Sequence, residues 1–153
     1  MTLLRRLASW VGAIVMLASV VILTLIGTRY LVDPVRAAAE LQTSFASPAG
    51  VTSMRIGFGA FPLALAAILA ACLLAPRRRL AGLAIVATVM GLAALARVVG
   101  IAIDGPAAES IRLLRPEVAM LALSSGCAAV EWRARRDRAV PLAPRSEGIH
   151  VSR

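Results

Sequence analysis

The fold class this sequence predicts is all-α: a polytopic membrane protein, built as a four-transmembrane-helix bundle with short interfacial helices in the outer loops. Three observations predict it. Of 153 residues, 59% are hydrophobic and 16% are charged, with a mean hydropathy of +0.83, against about 45–50% apolar and about 25% charged in soluble domains. Uncharged runs cover 22 residues from Leu7 to Thr28, 21 from Ile56 to Pro76, 24 from Leu80 to Ile103 broken only by Arg97, and 13 from Val118 to Val130. A hydrocarbon core about 30 Å thick takes about 20 helical residues. Finally, nothing alternates with period two, which leaves helices as the spanning structure.

The chain divides into a transmembrane domain over residues 1–132, with helices near 7–30, 55–75, 80–103 and 115–132, and an Arg-rich disordered tail over 133–153. The first span follows Arg5 and Arg6, with Trp10 and Tyr30 as interfacial anchors. It is expected to be retained rather than cleaved at Ala37-Ala38-Ala39, because its apolar stretch far exceeds a signal-peptide core. Asp33 and Pro34 are a helix-start signal, and Val35, Ala38, Leu41 and Phe45 recur at helical spacing. An interfacial helix ending near Ser47-Pro48-Ala49-Gly50 is therefore predicted.

In the second span Pro62 is set to kink the helix, because its ring clashes with the carbonyl of Phe58. Arg77, Arg78 and Arg79 fill a tight loop before the third span. Gly105-Pro106 then opens a turn, with Ile111 and Leu114 as a greasy side, and Pro116 falls in the first turn of the fourth span. That span reaches membrane length only by taking Glu117 inside. Small residues suit close helix packing: Gly12 with Ser19; Ala60, Ala64, Ala67 and Ala71; Ala87, Gly91 and Ala94; Ala119, Ala122, Gly126 and Ala129. Gly59, Gly91, Gly100 and Gly126 are the expected packing glycines.

All 17 basic residues are Arg. Eleven lie with three acids on the side of the termini and the Arg77–Arg79 loop, net +8; the other side carries six Arg and five acids, net +1. The positive-inside rule places both termini of this multi-pass chain in the cytoplasm; the Arg-only, Ala-rich composition points to a GC-rich bacterial genome and so to a bacterial inner membrane. A net charge of +9 on punctuated apolar blocks is no nucleic-acid face. Two Cys and one His offer no metal site, and no cofactor is expected. Cys72 and Cys127 lie at similar depth as small core thiols. His150 falls in the tail.

One polar constellation stands out. Counting outward from the cytoplasmic ends, Arg55 falls at the outer hydrocarbon edge, with Arg97 and Glu117 just inside it. Asp104 lies beyond the edge, on the helical face of Arg97. Ionisable groups at such depth pair, snorkel or face the bundle interior. Arg97 is expected to pair with Glu117, with Arg55 and Asp104 nearby. Two readings stay open: a staple that sets helix register, or a small site where Arg binds an anion and Glu117 relays a proton.

The stretch from Arg55 through Gly59 and Pro62 to Leu65, the stretch from Ala96 through Arg97, Gly100, Asp104 and Gly105 to Pro106, and Pro116-Glu117 resemble the small bacterial integral membrane proteins grouped as domain of unknown function 4345. The resemblance covers about Leu7 to Val130 and implies a four-helix membrane fold. By position it picks out Arg55, Gly59, Arg97, Gly100, Asp104, Gly105 and Glu117. Members often carry an acid just before the helix-two Arg; Thr52 and Ser53 stand there in this chain, so Arg55 needs another partner, Asp104 or Glu117. The resemblance implies no activity.

The function expected is that of a non-enzymatic accessory or lipid- or quinone-binding module. Its partners are the lipid bilayer and, beyond it, a hydrophobic small molecule or a membrane protein. The alternative is a small membrane enzyme acting on a lipid-soluble substrate, with Glu117 and Asp104 as acid and base.

Overall fold

The computed structural model describes residues 2–41 and 43–139. Its elements are α1 (Thr2–Val32), α2 (Pro34–Ala39), α3 (Pro48–Met54), a π-helical turn (Arg55–Ala60), α4 (Phe61–Leu74), a 3-10 turn (Pro76–Arg78), α5 (Arg79–Asp104) and α6 (Ala108–Ala139). No strand occurs among the described residues. Four stretches are long and apolar enough to cross a membrane: Arg6–Val32, Pro48–Leu74, Pro76–Asp104 and Ser110–Arg136. Most large apolar side chains face outward, Leu25 at 66% exposure and Leu92 at 62% among them. A water-soluble monomer does not expose contiguous apolar surface on this scale.

The helices meet in a small interior. Met16 of α1, Cys72 of α4, Leu83 of α5 and Cys127 of α6 form one buried layer, one residue from each spanning helix. Val15, Leu69 and Val86 form the next, with Met90 and Met120 packed against them. Gly82 leaves room for this layer: a Cβ there would run into Met16 Cε and lie 2.9 Å from Cys72 Cβ. α1 lies chiefly against α4 and α6, and α5 chiefly against α6. Ser9, Arg79 and Glu131 line one small cavity, so the start of α1, the start of α5 and the far part of α6 share an arginine-rich end.

Several expectations need correction. The interfacial helix stops at Ala39, where the N–H groups of Leu41 and Thr43 both donate to the Ala38 carbonyl. Ala37 and Ala38 are buried while Val35 and Leu41 face out, because small side chains let α2 dock closely. Ser47-Pro48 starts a helix instead of ending one: the Ser47 hydroxyl accepts from the Gly50 N–H at 3.3 Å, and Pro48 needs no donor at the first position. α3 then runs into the second span through the π-helical turn, where the Phe61 N–H donates to the Ile56 carbonyl five residues back. Widening by one residue just before Pro62 accommodates a ring that cannot sit over the Phe58 carbonyl.

The fourth helix starts at Ala108 rather than 115, so Pro116 lies well inside it. The turn before it is set by Gly105, whose φ of +94° ends α5 with an N–H bond to Ile101 at 3.2 Å. At its other end α6 continues to Ala139, so residues 133–139 are helical and not tail. The rest of the expected tail, with His150, lies outside the described residues. The stripes Ala60, Ala64, Ala67, Ala71 and Ala119, Ala122, Gly126, Ala129 face outward in full. Ala66, Leu69 and Cys72, and Ser124 and Cys127, face inward in their place. Tyr30 is buried against Phe58, ring centroids 5.4 Å apart, and is not a lipid-facing anchor.

Candidate functional site

Antiparallel packing of α5 on α6 brings Gly91 opposite Leu121, whose Cδ1 would lie 3.6 Å from a Cβ there. Continuing that register away from the arginine-rich end sets Arg97 opposite Glu117. Arg97 Nε donates to Glu117 Oε2 at 2.9 Å and its Nη2 donates to Oε1 at 2.5 Å. Both carboxylate oxygens are engaged by one planar guanidinium, the strongest geometry open to this pair of side chains. The side chains are 26% and 16% exposed, so the pair is mostly hidden. About 27 Å of helix separates Arg97 from Arg79, which puts the pair close to the opposite boundary of a hydrocarbon core about 30 Å thick. Neither charge fits there alone; together they form a compact dipole.

The other two predicted members do not join. Asp104 is exposed at the end of α5, and among the described residues neither it nor Arg55 has an ion-pair partner. Arg55 sits where α3 meets the π-helical turn, and that turn packs on α1 and α3 instead of on the α5–α6 seam. The expected quartet is thus one bidentate pair with two outlying charges. Of the expected packing glycines, Gly59 and Gly91 face neighbours, whereas Gly126 has open space and Gly100 has only Asp104 Oδ2 at 3.8 Å. At Gly59 a Cβ would lie 3.1 Å from the Leu31 nitrogen, and at Gly27 one would lie 2.8 Å from the Gly59 carbonyl. Those two glycines let α1 and the π-helical turn touch backbone to backbone.

A match to a family model covers residues 11–124, and its description is a domain of unknown function, DUF4345. The chain belongs to this family. Arg55, Gly59, Arg97, Gly100, Asp104, Gly105 and Glu117 all fall within the matched span, whereas the Arg133–Arg136 end of α6 lies beyond it. No curated protein and no solved structure matches the chain. The DUF4345 assignment names no chemistry.

Three further polar contacts escape sequence reasoning. Arg29 of α1 is ion-paired to Glu40, both about half exposed. Trp132 carries the Arg136 guanidinium 5.6 Å above its ring. Arg79 donates to Ser9 Oγ at 3.4 Å while its Nε is buried without a partner among the described residues. Its position three and four residues before the buried Gly82 and Leu83 is the signal that separates it from exposed Arg77 and Arg78. The buried hydroxyls are self-satisfied: Ser124 Oγ donates to the Met120 carbonyl at 2.6 Å and Ser19 Oγ to that of Val15 at 2.9 Å.

Proposed function

We propose that this DUF4345 chain is a non-enzymatic module of a bacterial cytoplasmic membrane, an accessory or lipid- or quinone-contacting subunit with both termini in the cytoplasm. In this reading Arg97 and Glu117 hold the outer halves of α5 and α6 in register. The observation that carries it is the bidentate pair itself. With both oxygens of Glu117 accepting from Arg97, using the carboxylate as a base means competing with a guanidinium for it and breaking a mostly hidden ion pair. Asp104, the acid-base partner in the enzymatic alternative, stands at an exposed helix end without a bond to it. Topology rests on the charge asymmetry: Arg6, Arg77, Arg78, Arg133 and Arg136 are all exposed at the arginine-rich end, where the positive-inside rule puts cytoplasm.

Neutral substitution coupled to native mass spectrometry tests the reading. Arg97→Gln and Glu117→Gln are expected to lower the melting temperature of the detergent-purified protein with no bound small molecule lost. Variants of unchanged stability that shed a co-purifying hydrophobic compound would contradict the register-setting role of the pair and make Arg97 and Glu117 part of a binding or enzymatic site.

A further inference from the structure

Arg55 is the one motif arginine that the clamp leaves unused. It is exposed, and no described side chain neutralises it. Of the described acids at this end of the bundle, Glu117 is held by Arg97, Glu40 by Arg29, and Asp33 accepts from the N–H of Arg36 at the start of α2, while Asp104 stands exposed at the end of α5 with no ion pair to Arg55. About 29 Å of helix separates Arg55 from Leu74 at the other end of the span, so it lies where hydrocarbon gives way to headgroups.

A groove of about 510 Å³ opens beside it. Phe45, Pro48 and Val51 make an apolar wall; Ser47, Thr52 and Arg55 are the polar side, and no carboxylate lines it. Phe45 lies beside Gly50, where a Cβ would come within 3.5 Å of its ring. The Thr52 hydroxyl donates to the Pro48 carbonyl, whereas the Ser47 hydroxyl accepts from Gly50 and keeps its own proton to give. The groove thus offers the guanidinium and one O–H as donors, next to an apolar surface.

We propose that this groove holds the phosphodiester headgroup of an outer-leaflet phospholipid, with two phosphate oxygens on Arg55 and the glycerol end on Phe45, Pro48 and Val51. A phosphodiester supplies the single negative charge the site lacks and the paired oxygens a guanidinium matches. A free anion leaves the apolar wall bare. The neighbouring groove at Arg29 and Arg36 carries its own acids, Asp33 and Glu40, and serves as the control. The proposal deepens the lipid-contacting side of the function above and rests on it.

Native mass spectrometry of the full chain in mild detergent, titrated with phosphatidylglycerol, tests it. The wild type is expected to retain one tightly held lipid, Arg55→Gln to weaken that site about tenfold at unchanged melting temperature, and Arg36→Gln to leave it unaltered. Diacylglycerol, which lacks the phosphate, is expected not to fill the site in the wild type, a readout that needs no variant. Equal retention by Arg55→Gln, equal binding of diacylglycerol, or displacement of the lipid by inorganic phosphate at matching concentration overturns the proposal. Because the clamp is read by melting temperature and this site by lipid retention, either can fail without the other.

Discussion

The two ends of the bundle are held together by different physics. Toward the arginine-rich end, each spanning helix gives one side chain to the Met16, Cys72, Leu83 and Cys127 layer, and dispersion between well-fitted apolar groups does the joining. Toward the opposite end the two core clusters give out, and the helices are fastened in pairs. Backbone contact at Gly27 and Gly59 joins α1 to the second span. A bidentate ion pair joins α5 to α6. A chain whose lipid-facing and inward-facing residues are equally apolar gains little from hydrophobic burial, so it relies on shape in one place and polarity in another.

Substitutions can break this contrast or sharpen it. The largest effect is expected at the ion pair: Glu117→Ala leaves Arg97 mostly hidden and uncompensated, at a cost of about 3 kcal/mol in detergent unfolding titrations. Hydrogen exchange should rise in the far parts of α5 and α6 and stay unchanged near Cys72. Met16→Ala removes the one layer member contributed by α1 and should cost about 2–3 kcal/mol. Its exchange signature should reach all four helices, and a response confined to α1 would refute a shared layer. Gly82→Ala forces Met16 and Cys72 to move, a loss of about 1–2 kcal/mol. Arg29→Gln, at an exposed pair, should change stability by less than about 1 kcal/mol. Smallest of all, Ala64→Leu and Ala122→Leu lie on outward faces and should shift it by under about 0.5 kcal/mol.

The features legible in the sequence are those where polarity contrasts with its surroundings. Four spans, the Arg97–Glu117 pair and the shared depth of Cys72 and Cys127 follow from charge spacing and residue counting. The faces of α4 and α6 do not: Ala60, Ala64, Ala67 and Ala71 are as apolar as the Ala66 and Leu69 that pack inward, so periodicity carries no signal there. Arg55 is misplaced for another reason. Depth along a helix axis is countable, but which neighbour a span meets depends on loop geometry, and the second span's π-helical turn meets α1. Pro116 reads as a helix start, yet favourable residues before it carry the helix back to Ala108.

The central claim is that opposite charges on α5 and α6 fasten the half of the bundle away from the arginine-rich end, and exchanging them tests it most directly. Arg97→Glu and Glu117→Arg should each melt the purified protein well below the wild type, and the double variant should recover most of that loss. A double variant no more stable than either single one would contradict the account.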